Sequence, residues 1–284
     1  MKVLILGATG LLGKALVREW SNDEVLAMGS RDVDIRDAAA VQLVVDSARP
    51  DWIVLAAAYT DVDGCESNQE LALSVNRDGA ANVARAARQT GAKLIFLSSD
   101  YVFDGKKTSP YEVNDQRNPK SVYGRSKAEA EINLLEILPN CCIARTSWVF
   151  GIGGRCFPDT ILRLAESRPV LEVVSDQRGS PSYTVDLARA IIQLSRKDAS
   201  GIVHVTNTGN CSWYEFAHEI IIRAGLMTEV MPVSTEKMPR PAPRPPYSAL
   251  SATSLLRYGI EMPGWKDGLD RYLVERSGLQ PIVR

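Results

Sequence analysis

The stretch Lys2-Val-Leu-Ile-Leu6, apolar after its first residue, runs directly into Gly7-Ala-Thr-Gly10-Leu-Leu-Gly13. An unbroken apolar run of this length suits a parallel strand buried on both faces. Glycines at this spacing suit a turn whose backbone approaches a pyrophosphate at the N-terminus of a helix, expected here over about residues 11–20. Glycine triplets also make plain turns, but strand, glycine turn and helix in immediate succession is the context that dinucleotide binding requires. The junction directs the chain toward a doubly wound α/β sheet, with Gly7, Gly10 and Gly13 as candidate coenzyme contacts.

The rest of the first half keeps the same rhythm. A second strand, Glu24-Val-Leu-Ala-Met28, ends in Gly29-Ser30-Arg31, where a carboxylate would be expected for an unphosphorylated ribose. Ser30 and Arg31 can instead receive a 2′-phosphate, which favours NADPH with NADH as the alternative; a solvated loop charge is the other reading of Arg31. Asp34-Ile35 is placed to edge the adenine, and Asp37 to cap the next helix. A third buried strand, Pro50 to Leu55, ends in Ala56-Ala-Ala58, small enough for backbone to lie flat against a dinucleotide. The acidic run Asp61-Val-Asp-Gly-Cys-Glu66 has Glu66 where a calcium loop needs glycine, so it reads as a turn and helix start. Asn76 to Thr90 reads as an Ala-rich helix, with Asn76 either its cap or a polar anchor near the functional face. Strand Ala92 to Leu97 delivers Ser98-Ser-Asp-Tyr101 at its carboxyl end, where ligands bind in open parallel sheets.

Pro119-Lys-Ser-Val-Tyr123-Gly-Arg-Ser-Lys127 puts a phenol and an ammonium on one face of an opening helix, with Asn118 expected as N-cap and Pro119 as first helical residue. A tyrosine with a pKa of about 10 needs help to exchange protons near neutrality, and a nearby cation favours its phenolate. Tyr123 then gives a proton to an oxygen as hydride reaches the carbon. Ser99, one strand-to-helix loop earlier, can bond the same oxygen, completing a hydroxyl, phenol and ammonium set. Alone, a Tyr-x-x-x-Lys spacing is equally a half-buried tyrosine beside a surface lysine.

Composition removes competing classes. With 284 residues, 45% of them hydrophobic, the chain can bury a full core, and its net charge of -1 gives no footprint for nucleic acid or an anionic membrane. No apolar run reaches the roughly 18 residues of a span, and the amino-terminal run is too short for a secretory signal, so a cytoplasmic location is expected. Five cysteines whose only close pair is adjacent suggest neither a disulfide framework nor a zinc site. His204 and His218 are the only histidines, and both read as structural.

With these pieces in place the chain resembles the extended short-chain dehydrogenases/reductases, and within them the dTDP-4-dehydrorhamnose reductases, over nearly its whole length. The carrying motifs are the glycine loop, Ala56-Ala-Ala-Tyr-Thr-Asp-Val-Asp63, Ser98-Ser-Asp-Tyr-Val-Phe-Asp-Gly105, Tyr123-Gly-Arg-Ser-Lys127, Arg145-Thr-Ser-Trp-Val-Phe-Gly151 and Asp176-Gln-Arg-Gly-Ser-Pro181. The resemblance implies a Rossmann-type sheet with a smaller irregular α/β substrate lobe. It also implies NAD(P)H contacts at Gly10, Leu11, Leu12, Asp34, Ile35, Ala57, Ala58, Tyr59, Leu97, Tyr123 and Lys127, and sugar-nucleotide contacts at Ser99, Asp100 and Trp148. Trp148 then stacks on or walls the hexose, or is an ordinary aromatic at a strand end. Ser99 replaces the threonine often found there and keeps the hydroxyl. Asp100-Tyr101 stands where the related dehydratases carry an Asp-Glu pair, which points to carbonyl reduction rather than elimination. Magnesium ligands known in some relatives have no placeable counterpart, and a homodimer is left open.

Beyond Trp148 the pattern loosens into helices at about 156–167, 183–195, 212–224 and 266–276 and strands at 170–174 and 202–206. The expected division is 1–147 for the dinucleotide domain, with later segments returning to it, and 148–284 for the substrate lobe. The proline-rich Met238 to Ser248 carries Arg240 and Arg244, expected to aim at a nucleotide diphosphate, with a stiff connector as the alternative. The functional expectation is NADPH-dependent reduction of the C4 ketone of a dTDP-linked 6-deoxyhexulose to dTDP-L-rhamnose. A 4-ketoreductase of opposite stereochemistry, or a non-catalytic nucleotide-binding subunit on the same fold, are the alternatives.

Overall fold

The computed structural model describes residues 1–278. In its first half strands and helices alternate: β1 (Lys2–Leu6), α1 (Leu11–Glu19), β2 (Glu24–Met28), α2 (Ala38–Ala48), β3 (Trp52–Leu55), α3 (Val62–Ser67), α4 (Gln69–Leu73), α5 (Ala80–Thr90), β4 (Lys93–Ser99), α6 (Val122–Ile137) and β5 (Cys142–Thr146). The second half adds β6 (Val149–Phe150), α7 (Phe157–Ala165), β7 (Val170–Val174), β8 (Arg178–Gly179), β9 (Ser182–Tyr183), α8 (Thr184–Arg196), β10 (Gly201–His204), β11 (Cys211–Ser212), α9 (Trp213–Arg223), β12 (Glu229–Val233), α10 (Thr253–Leu256) and α11 (Trp265–Ser277).

The main sheet has six strands in the order β2-β1-β3-β4-β5-β10, all parallel. The chain steps outward from β1 to β2 and then crosses back to β3 on the other side of β1. That reversal opens a crevice outside the carboxyl ends of β1 and β3, where ligands bind in such sheets. The apolar run of β1 serves two cores at once: Val3 and Ile5 join α1 and α8, while Leu4 and Leu6 join α2, α5 and α6. Two-sided burial is why this strand shows no polar alternation. Residues 184–204 return to the sheet, α8 packing beside α1 and β10 pairing with β5.

α10 also packs on β10, and the remaining elements form a lobe around Phe150, Tyr183, Phe216, Trp265 and Tyr272. Phe150 meets Tyr272 edge-on at 5.6 Å, and Phe216 meets Trp265 at 5.5 Å, a geometry in which the positive ring edge faces the negative ring face. Three short strand pairs, β6–β9, β8–β11 and β7–β12, hold the lobe beside the sheet's carboxyl edge. Its loops are thereby brought over the crevice.

Candidate active site

Two adjoining clefts share Gly10, Ala56 and Ala58. The first, about 390 Å³, follows the glycine turn and is edged by Ser30, Asp34, Ile35 and Ala57. Gly7 sits at φ 94°, and a Cβ there would lie 2.4 Å from the Ala57 amide nitrogen; a Cβ on Gly13 would lie 2.1 Å from the Gly7 carbonyl oxygen. Only glycine lets β1, β3 and α1 close to this distance. Gly10 caps α1 without a side-chain hydrogen bond and no acid stands in the first turn, so the helix presents its free N–H groups to an anion.

Arg31, expected at this end, is exposed and outside the lining, because the Gly29–Val33 turn points it to solvent. Arg36 lines the cleft instead, gripping Asp34 with both ends of its guanidinium and holding that carboxyl below its ordinary range. Tyr59 is also outside the lining. Its backbone N–H and C=O are both bonded by the buried Asn76 side chain, which also donates to Ser126 Oγ at 2.9 Å. Asn76 is therefore a polar anchor rather than a cap, set in a π-helical turn over Ser74–Gly79 that precedes α5.

The second cleft, about 530 Å³, collects Leu11, Leu12 and Gly13 from α1, Leu97, Ser99 and Asp100 from the end of β4, Tyr123 and Lys127 from α6, and Trp148. Tyr123 does lie in the first turn of α6, but the cap is Ser121, whose hydroxyl accepts the Gly124 N–H at 3.1 Å. This corrects the expected start at Asn118 and Pro119. Asn118 donates to Asp104 instead, and Glu66 reaches from α3 to accept the Val122 N–H at 2.8 Å, a partner no local pattern announces. Asp61 caps α3 through the Gly64 N–H, so the acidic run is a helix start.

Ser99 Oγ accepts the Tyr101 N–H and donates to Asp100 Oδ1 at 3.0 Å. Asp100 is 2% exposed, and its Oδ2 has no close hydrogen-bond partner among the described residues. Burial pushes its carboxyl up to about 7, against the opposing pull of the Ser248 and Ser99 hydroxyls. Lys127, also 2% exposed, makes no hydrogen bond among the described residues and sits 4.1 Å over the Phe96 ring. Burial lowers it to about 7, while Glu131, one helical turn on, pulls it back up. Desolvation raises the Tyr123 phenol well above its ordinary value, the Ser99 hydroxyl opposing. Burial dominates the shift of this phenol, and Lys127 is not among the groups that set it.

Behind the site lies a buried ionic network. Glu131, 0% exposed, accepts from Ser98 Oγ at 2.6 Å, from Arg145 at 2.8 and 2.6 Å, and from Arg117 at 3.0 Å. It links β4, β5 and α6 directly beneath Ser99 and Lys127. His204 is fully buried against Arg145 and driven down to about 3, so it remains neutral and structural.

Trp148 lines the cavity, and its ring is stacked on Trp213. Trp213, Arg155, Thr60, Val62 and Tyr101 also line the cavity and escaped the sequence reading. Arg240 and Arg244 do not line it. Asp63 holds both, Arg244 at 2.9 Å and Arg240 at 3.9 Å, and also accepts the Ala242 N–H, fastening the proline-rich segment beside α3.

The chain matches the RmlD substrate binding domain family over residues 1–277. It is 43% identical over 278 residues to the spore coat polysaccharide biosynthesis protein SpsK of Bacillus subtilis, covering 97% of this chain and 98% of that protein. It is 38% identical to a dTDP-4-dehydrorhamnose reductase of Mycobacterium tuberculosis, covering all of this chain and 96% of that protein. A solved dTDP-4-dehydrorhamnose reductase from Bacillus anthracis, in complex with NADP, superposes with a TM-score of 0.94 at 40% identity, over 97% of this chain and all of that one.

Proposed function

The chain belongs to the RmlD substrate binding domain family, and from that premise we propose that it is an NADPH-dependent reductase of a dTDP-linked 4-keto-6-deoxyhexose, forming dTDP-L-rhamnose. The observation that carries this reading is the convergence of Ser99, Tyr123 and Lys127 in one cavity continuous with the glycine-turn cleft. The coenzyme fits the donor set: uncapped α1 N–H groups for its diphosphate, flat Ala56–Ala58 backbone beside it, and Ser30 with Arg36 at the ribose end. When bound, it supplies a hydride to the C4 carbon.

This chain's own residues do the rest. Ser99 orients the carbonyl by hydrogen bonding to its oxygen, and Tyr123, held protonated near neutral pH, donates its proton to that oxygen as the carbon accepts the hydride. Carbonyl carbon and oxygen thus gain H⁻ and H⁺, and the ketone becomes a secondary alcohol. Lys127 holds the coenzyme ribose and, when charged, stabilises the phenolate left behind. Asp100, a buried residue of the cavity lining with one carboxylate oxygen unpartnered among the described residues, and Trp148 place the sugar. Only one acid of the dehydratase pair is present, which fits reduction.

The test is NADPH absorbance with dTDP-4-dehydro-L-rhamnose, followed by proton NMR of the product. Stoichiometric oxidation with the rhamno configuration at C4 is expected. The opposite C4 configuration would select the other reductase, and no oxidation with any ketosugar nucleotide would favour a non-catalytic subunit.

A further inference from the structure

Trp148 and Trp213 lie face to face in the cavity wall, ring centroids 3.4 Å apart and planes 4° from parallel. At that separation the indoles are in van der Waals contact, and neither a sugar nor a water fits between them. A hexose stacked on that face of Trp148 and the side chain of Trp213 are therefore mutually exclusive occupants.

Trp148 is the fixed member. Its backbone is held at φ 44°, in the left-handed region that a bulky residue adopts only under constraint. Its carbonyl accepts the Ser182 N–H at 3.1 Å, and its ring packs so closely on Gly179 that a Cβ there would come within 2.4 Å of Cε2 and Nε1. Trp213 is the first residue of α9, after a capping box in which Ser212 and Glu215 bond each other's backbone. Its backbone is secured without its side chain, which packs at the margin of the lobe core and meets a tilted Phe157 ring at 4.6 Å. The indole is half-buried, and the hydrogen bonds that start the helix do not depend on where it lies.

The pair also sits at the reacting end. Ser99 pairs with Thr146 in the β4–β5 register, and Trp148 follows two residues later in the same cavity as Tyr123 and Lys127. The part of a substrate that meets the indoles is the ring bearing the carbonyl.

We propose that Trp213 is a substrate-positioning residue acting as a gate: it covers Trp148 until the hexose of a sugar nucleotide displaces it and takes its place on the Trp148 face. The proposal rests on the reading of the cavity as a sugar-nucleotide site. A nucleoside diphosphate without the sugar leaves the stack closed.

Two stacked indoles couple their electronic transitions and produce an exciton couplet in far-ultraviolet circular dichroism, a signal that a purely structural role for Trp213 leaves unchanged on ligand binding. Binding of dTDP and of dTDP-L-rhamnose to the whole protein is followed in parallel by calorimetry, and the couplet is assigned by its loss in Trp213→Leu, or in Trp148→Phe should the first fail to fold. The expected result is a couplet in the free protein, unchanged at saturating dTDP and reduced by more than half at saturating dTDP-L-rhamnose. A couplet that persists at calorimetric saturation with dTDP-L-rhamnose, one already lost with dTDP, or none in the free protein overturns the gate while leaving the site reading standing. Absence of binding by every sugar nucleotide removes the site reading and the gate with it.

Discussion

Between Leu6 and Gly13 the chain shapes the coenzyme edge of the cleft in one continuous run, whereas the wall facing Tyr123 is assembled from Asp100, Trp148, Arg155 and Trp213, four segments brought together only by the fold. The first edge is backbone in close contact, with no room for change; the second is side chains that meet across loops. A substitution at the first should act on the fold and on coenzyme together, and one at the second chiefly on substrate, buried Asp100 excepted. Behind the second lies the Glu131 network, which ties β4 and β5 to α6.

The largest expected effect is in that network. Glu131→Gln leaves the Arg145 guanidinium, 1% exposed, without its carboxylate, and should cost about 3–5 kcal/mol in urea unfolding. The double substitution of Glu131 and Arg145 to methionine should recover part of the loss. Stability equal to the parent in the single variant would show that the wall beside Tyr123 does not depend on this network.

Next come the opposed proton linkages of Asp100 and Lys127. Asp100 has its folded-state pKa raised to about 7, so the native state binds more protons than the unfolded one between about pH 4 and 7, and stability falls with rising pH there. Lys127 is lowered to about 7, so the unfolded state binds more protons between about pH 7 and 10, and stability rises with pH there. Each shift is on the order of 4 kcal/mol across its window. Asp100→Asn should flatten the lower slope and Lys127→Met the upper, read from chemical unfolding against pH; slopes unchanged in both variants would contradict the burial of these groups.

Gly7→Ala forces a side chain onto backbone at φ 94° and should cost about 3 kcal/mol, abolishing NADPH binding by calorimetry. If it bound coenzyme normally, the contrast between a rigid edge and an adaptable wall would fail. The smallest effect is expected at Asp63→Asn, which releases Arg244 and Arg240 from the proline-rich segment. These are partly exposed pairs, worth less than about 1 kcal/mol, so the change should appear as a raised KM for the sugar nucleotide with little loss of stability.

What could be read in the sequence follows the same division. The β1 run, the glycine spacing, Ser99 after β4 and the Tyr123–Lys127 spacing are local patterns, and the structure sets all of them around one crevice. Where several local candidates compete, a distant partner decides. Asn118 is the N-cap expected from the sequence, but Ser121 caps α6, and Glu66 on the Val122 N–H fits that later start. Arg31 suits a phosphate, but the Gly29–Val33 turn leaves it exposed, and Arg36 lines the cleft in its place. Arg240 and Arg244 suit a diphosphate equally well, but Asp63 is nearer. Trp213 carries no local signal at all: it reaches the cavity because β11 pairs with β8 and starts α9 there. Nor does spacing reveal how deeply Tyr123 and Lys127 are buried, which raises the phenol and lowers the ammonium.

The most direct measurement is turnover by Tyr123→Phe, with calorimetry of NADPH and dTDP-L-rhamnose on the same preparation. The expected result is binding of both within a few-fold of the parent and a kcat lower by about 10²–10⁴-fold, the usual contribution of a positioned proton donor. Parental kcat in that variant, with both ligands bound, would contradict the assignment of the proton to this phenol.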